Sequence, residues 1–150
     1  MRPRFAFLLV GSSFALVLAA AQAVLADDAK DLQGTWQVVS LEANGENKAA
    51  DEFKGWKFVF EGEEGWLVKP EETSQKFKFT LDAAKAPKTI DLIVQDGDDK
   101  GKVAPGIYGF NKGQLRLCIN IFGDPSYRPM DFKTQDRDGA GFAVLERVKD

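Results

Sequence analysis

The stretch SQKFKFTLD, Ser74–Asp82, decides the fold class. In an extended chain Phe77, Phe79 and Leu81 fall on one side, and Lys76, Lys78 and Thr80 fall on the other. That period of two marks a strand with one face in a core and the other in water.

Working outward, KTIDLIVQ (Lys88–Gln95) repeats the pattern with Ile90, Leu92 and Val94 on one face, although Ile93 breaks the polar side. QLRLCINIF (Gln114–Phe122) alternates again, with Leu115, Leu117, Ile119 and Ile121 against Gln114, Arg116, Cys118 and Asn120. TWQVVSLE (Thr35–Glu42) is β-prone. GWKFVFEGEEGWLVKP (Gly55–Pro70) reads as two strands around a glycine-containing turn. KVAPGIYGF (Lys102–Phe110) is a strand with a Pro-Gly irregularity, and NKG (Asn111–Gly113) is a tight hairpin connection. MDFKTQ (Met130–Gln135), DRDG and GFAVLERV (Gly141–Val148) read as a closing hairpin. Helical periodicity is weak, and NKAADEFKG (Asn47–Gly55) allows a short turn of helix at most. These elements predict an all-β domain. Its hairpin-length turns favour an antiparallel up-and-down barrel of eight or nine strands over a sandwich.

The first 26 residues read differently from the rest. A basic start with Arg2 and Arg4 leads into an uncharged run, FAFLLVGSSFALVLAAAQAVLA, which ends in small residues before DDAKD. This is the layout of a secretory signal peptide over residues 1–26, with the barrel domain over residues 27–150. Ala23 offers a second cut site, and an uncleaved anchor is the alternative, since the run is close to the roughly 18 residues needed to span a bilayer. Secretion to the periplasm or beyond is the expectation. Beyond residue 26 the chain carries 18 basic and 23 acidic side chains, a net charge of −5. Such a domain has no electrostatic footprint for nucleic acid, and after cleavage it has no segment for stable membrane insertion.

Cys118 is the only cysteine, so no internal disulfide forms, and a small filler within a strand is its expected role. The chain contains no histidine. That removes Ser-His-Asp and Cys-His nucleophile activation and every imidazole-ligated zinc site. DGDDKG (Asp96–Gly101) fails as a calcium loop, because Lys100 and Ile107 stand where oxygen ligands are needed, and it reads as a hairpin turn. The carboxylate pairs Glu63–Glu64 and Asp98–Asp99 lie in turns without an aromatic cleft around them, which argues against glycoside hydrolysis. No cofactor and no metal are expected, and the chain does not read as an enzyme.

LQGTWQVVSLEANG, beginning at Leu32, resembles the opening strand of the lipocalin and fatty-acid-binding barrels, whose motif is Gly-x-Trp, here Gly34 and Trp36. The resemblance implies that Trp36 plugs one barrel end beneath Arg147 of the last strand. Fatty-acid binding does not follow from it, because the Arg-x-Tyr that holds a carboxylate in those proteins is missing here. The segments LQGTWQVVS, APKTIDL, GIYGF, LRLC and RPMDF resemble, in order and spacing, a family of small secreted proteins of planctomycete-type bacteria with no assigned function. That family usually has glutamate where Asp131 stands, and often shows Asp-Gly-Asp before LRLC, whereas this chain has Asn111-Lys112-Gly113-Gln114.

Among the polar residues of these motifs, Tyr108, Arg116 and Arg128 are the candidates to grip a ligand, with Asp91 and Asp131 beside them. The competing reading makes them ion pairs on the outer face and at a rim loop; Arg116 is opposite in phase to Leu115 and Leu117. The resulting expectation is an extracytoplasmic, non-enzymatic domain for a small apolar or mixed ligand. The alternative is an envelope-associated interaction or structural module with a fully packed barrel. Closure of the interior by Phe58, Phe60, Phe77 and Phe79 would favour the alternative.

Overall fold

The computed structural model describes residues 27–121, 124, 126–137 and 139–149. The segment read as a signal peptide lies outside these residues. Among the described residues there are nine strands: β1 (Gly34–Ala43), β2 (Glu46–Asn47), β3 (Lys57–Glu61), β4 (Glu64–Val68), β5 (Gln75–Asp82), β6 (Thr89–Val94), β7 (Val103–Asn111), β8 (Gln114–Asn120) and β9 (Ala140–Arg147). All pair antiparallel, and from β3 onward each strand pairs with the next one in the chain. β1 pairs with β3 through Gly34–Gln37 and with β9 through Trp36–Ala43, which closes an eight-stranded up-and-down barrel. β2 is a short extra strand folded onto the end of β1.

The alternation that defines these strands also fills the barrel. Phe77 and Phe79 of β5 point inward with Phe58 and Phe60 of β3, and all four are buried. Their rings interlock: Phe60 meets Phe79 edge-on at 5.2 Å and Phe77 at 5.8 Å between centroids. Each such buried ring contributes roughly 1.5–3 kcal/mol. Gly65, opposite Phe77 on β4, makes this possible, because a Cβ there would stand 2.5 Å from the Phe77 ring.

One barrel end is closed. Residues 27–32 form a short helix, α1, laid across it, with Leu32 fully buried. The Trp36 indole N–H donates to the Leu32 carbonyl at 2.8 Å. Arg147, the register partner of Trp36, lies 4.3 Å from the centre of its ring and donates to the carbonyls of Asp31 and Gln33. Asp31 is in the last turn of α1 and Gln33 follows it, so neither carbonyl has an acceptor role within the helix. Gly34 has φ +114°, a conformation that favours glycine, and a Cβ there would also push on the Arg147 guanidinium at 2.9 Å.

The expected closing hairpin is not formed. Met130–Gln135 is not a strand, and β8 joins β9 through a long excursion over the outside of the barrel. The reason is tertiary: this stretch and Arg128 before it bond through side chains to distant strands instead of through a backbone ladder. Arg128 donates to the carbonyls of Ile90 (3.1 Å) and Gly106 (2.8 Å) and to the Asp91 carboxylate (2.6 Å). Thr134, fully buried, accepts from the Gly45 N–H at 2.9 Å, and its hydroxyl donates to Glu42 at 2.7 Å. The excursion is therefore a strap, tied to β6 and β7 at one end and to the β1–β2 turn at the other. It buries Cys118 and Asn120, which alternation alone had put on an outward face.

Candidate functional site

The barrel's other end is open. Beyond Gln37, β1 leaves β3 and continues along β9, with only the short β2 paired to its other edge at Glu42 and Ala43. The chain between β2 and β3 fills part of the resulting gap with a 3-10 turn (Ala50–Phe53), which Glu52 fixes by accepting the Ala49 N–H at 2.8 Å. This turn delivers Trp56, whose carbonyl takes the Val38 N–H at 3.0 Å. Lys69 places its ammonium 4.3 Å from the centre of the Trp56 ring.

What remains is a cleft of about 500 Å³. Its walls are Leu41 and Ala43 of β1, Trp56, Ile121 after β8, and Gly139, Ala140 and Gly141 at the start of β9. Asn44, Lys48 and Glu52 supply the polar rim. Beneath it lies a chamber of only about 50 Å³, which shares Leu41, Trp56, Ile121 and Gly141 and reaches down to Phe58, Leu67 and Leu117. Below that the phenylalanine cluster fills the barrel.

The structure does not bring Tyr108, Arg116 and Arg128 together, and none of them lines the cleft. Tyr108 points inward near the plugged end, where its hydroxyl donates to Asp28 of α1 at 2.7 Å; Lys88 donates to the same carboxylate oxygen at 2.8 Å. Burial first, then the hydrogen bond and charge of Asp28, drive the Tyr108 pKa far upward. Arg116 is on the outer wall, its guanidinium 4.6 Å from the Phe132 ring centre and 5.2 Å from that of Phe142. Arg128 ties down the strap. Asp131 pairs with Arg137 at 2.5 Å, and that hydrogen bond holds its carboxyl below the usual range.

Cys118 lies beneath the strap with no exposed surface, and burial pushes its thiol up to about 11. Among the described residues no group of three or more Cys, Asp and Glu side chains is arranged to hold a metal ion.

The cleft residues Leu41, Lys48, Glu52, Trp56 and Ile121 escaped the reading of motifs. One signal for them was present in the sequence. Asn44–Trp56 is too long for a hairpin turn and carries a tryptophan just outside the strand alternation, as a loop framing an open barrel end does. Comparison with protein-family models, curated proteins and solved structures finds no match to this chain.

Proposed function

We propose that this protein is an exported, non-enzymatic binding domain that takes a small apolar or mixed ligand into the open end of its barrel. The observation that carries the reading is the cleft: about 500 Å³, walled by apolar side chains and rimmed by a few polar ones. Those are the size and chemistry of small-molecule sites, which occur in the mouths of β-barrels. Export is supported by the basic, then uncharged, then small-residue layout of residues 1–26. The absence of histidine and the burial of the one thiol support a role without covalent chemistry. The ordered segments from LQGTWQVVS to RPMDF support kinship with the small secreted planctomycete-type proteins.

A second reading has its own observation. Phe58, Phe60, Phe77 and Phe79 pack the lower barrel, and Met130 (77% exposed) and Ile121 (48% exposed) face water. Both features fit an envelope-associated interaction module.

Native mass spectrometry of the mature protein from its own host separates the two. A bound small molecule that is lost in an Ala140→Trp variant, which fills the cleft, supports the ligand reading. Bare protein, together with no response of tryptophan fluorescence to any apolar probe, rejects it.

A further inference from the structure

Resting on the ligand reading, we propose that the cleft selects a compact, ring-bearing organic anion and excludes extended chains. The shape of the space sets the size. The cleft holds about 500 Å³, but the chamber below it only about 50 Å³, a tenth of that. The space is therefore broad at the mouth and almost absent in depth. A long alkyl chain gains its burial by running down the barrel axis. Here Phe58 and Leu67 stand across that path, and the ring cluster behind them is closed. A ring one or two members wide can instead lie across the mouth between Trp56 and the glycine-rich start of β9.

The rim sets the charge. Lys48 is half-buried and makes no ion pair among the described residues, whereas the other charged rim residue, Glu52, is exposed and already accepts the Ala49 N–H. A ligand carboxylate or sulfonate beside Lys48 would pair with a rim cation that makes no ion pair among the described residues. A less exposed charge is less screened, so Lys48 outweighs Glu52 in the choice of headgroup.

The test titrates the mature protein with 2-naphthoate, its neutral amide, the matching naphthylmethylammonium and palmitate, followed by tryptophan fluorescence and calorimetry. Naphthoate is expected to bind more tightly than the amide or the cation, and palmitate to bind weakest. Lys48→Met should cut naphthoate affinity about three- to ten-fold and leave the amide unchanged. Leu67→Ala should deepen the chamber and raise palmitate affinity at least several-fold; Ile121→Ala, at the mouth, should not. Circular dichroism establishes that each variant is folded. Palmitate binding as tightly as naphthoate, or the cation binding better than the anion, would overturn this proposal while leaving the ligand reading standing. Failure of all four probes to bind would sink both.

Discussion

Arg147 does two things to Trp36 at once: it covers the indole ring, and it fastens the helix whose Leu32 carbonyl accepts the indole N–H. Ring, helix and last strand are thus one unit. Trp36→Ala should cost roughly 3–5 kcal/mol, the usual range for removing a buried large aromatic. Arg147→Met should cost about 0.5–2 kcal/mol, because the ring loses its cation while water takes over the two exposed carbonyls. Urea unfolding of both variants checks this, and a loss under about 1 kcal/mol for Trp36→Ala would show that the ring is not a plug.

Cys118 should govern the first part of the alkaline limb of stability. Its thiol keeps its proton up to about 11 when folded, against an ordinary value of 9.0. Above the ordinary value the unfolded chain releases a proton that the folded chain keeps. Stability from this group is therefore complete below about 9 and is lost as pH rises through about 11. The slope approaches about 1.4 kcal/mol per pH unit. Cys118→Ala should flatten the curve just above pH 9, and an unchanged slope there would refute the assignment. In native protein at pH 8 the thiol should also resist aromatic disulfide reagents and react only on unfolding.

Tyr108→Phe should destabilise by about 1–3 kcal/mol, since Asp28 loses its buried donor and keeps only Lys88. The phenol pKa is raised, so its contribution is complete below its ordinary value of 10.0 and falls at higher pH. The variant should therefore lose part of the alkaline slope above 10, a region separate from the onset that Cys118 sets. Equilibrium unfolding across that range distinguishes the two residues.

Arg128→Met should release the strap at its β6–β7 anchor. Three charge-assisted contacts disappear, and the carbonyls of Ile90 and Gly106 lose this donor, for a cost of about 1–3 kcal/mol. Hydrogen exchange should accelerate over residues 126–137 and leave β3–β5 unchanged. Uniform acceleration over the whole barrel would mean that the strap is not a separate unit.

The barrel was legible because its evidence is local. Phe77/Lys78/Phe79 and Leu115/Arg116/Leu117 each report their own face, and short turns leave neighbouring strands little choice but to pair. The antiparallel meeting of first and last strands likewise sets Trp36 opposite Arg147. The strap was not legible, because MDFKTQ has strand-like composition and its fate depends on distant partners: Thr134 on Glu42 and Gly45, Phe132 on Arg116. The same contacts explain why the motif arginines read as ligand-gripping candidates. Their motif neighbourhood marked them as important, but not which surface they face. The cleft was hidden for a third reason. It is bounded by the ends of segments, where β1 departs from β3, and no pattern within one strand announces such a parting.

One consequence of the closing seam concerns the order of events in folding. β9 is paired along both edges, to β8 and to β1, so the last strand of the chain is the stave that makes the wall continuous. A chain emerging from its N-terminus can form the hairpins from β3 to β8 as it appears, since each needs only its neighbour. It cannot bring its two ends together until Arg147 is out, and the Trp36 end stays unlocked until then. Joining residues more than a hundred positions apart carries the largest loop-closure cost in the molecule, which places that step late and makes it slow. Until it occurs, β1 has an unpaired edge. A truncation or stall just short of β9 would therefore leave an almost complete sheet with two open flanks, the form of this protein most prone to pair with another copy of itself.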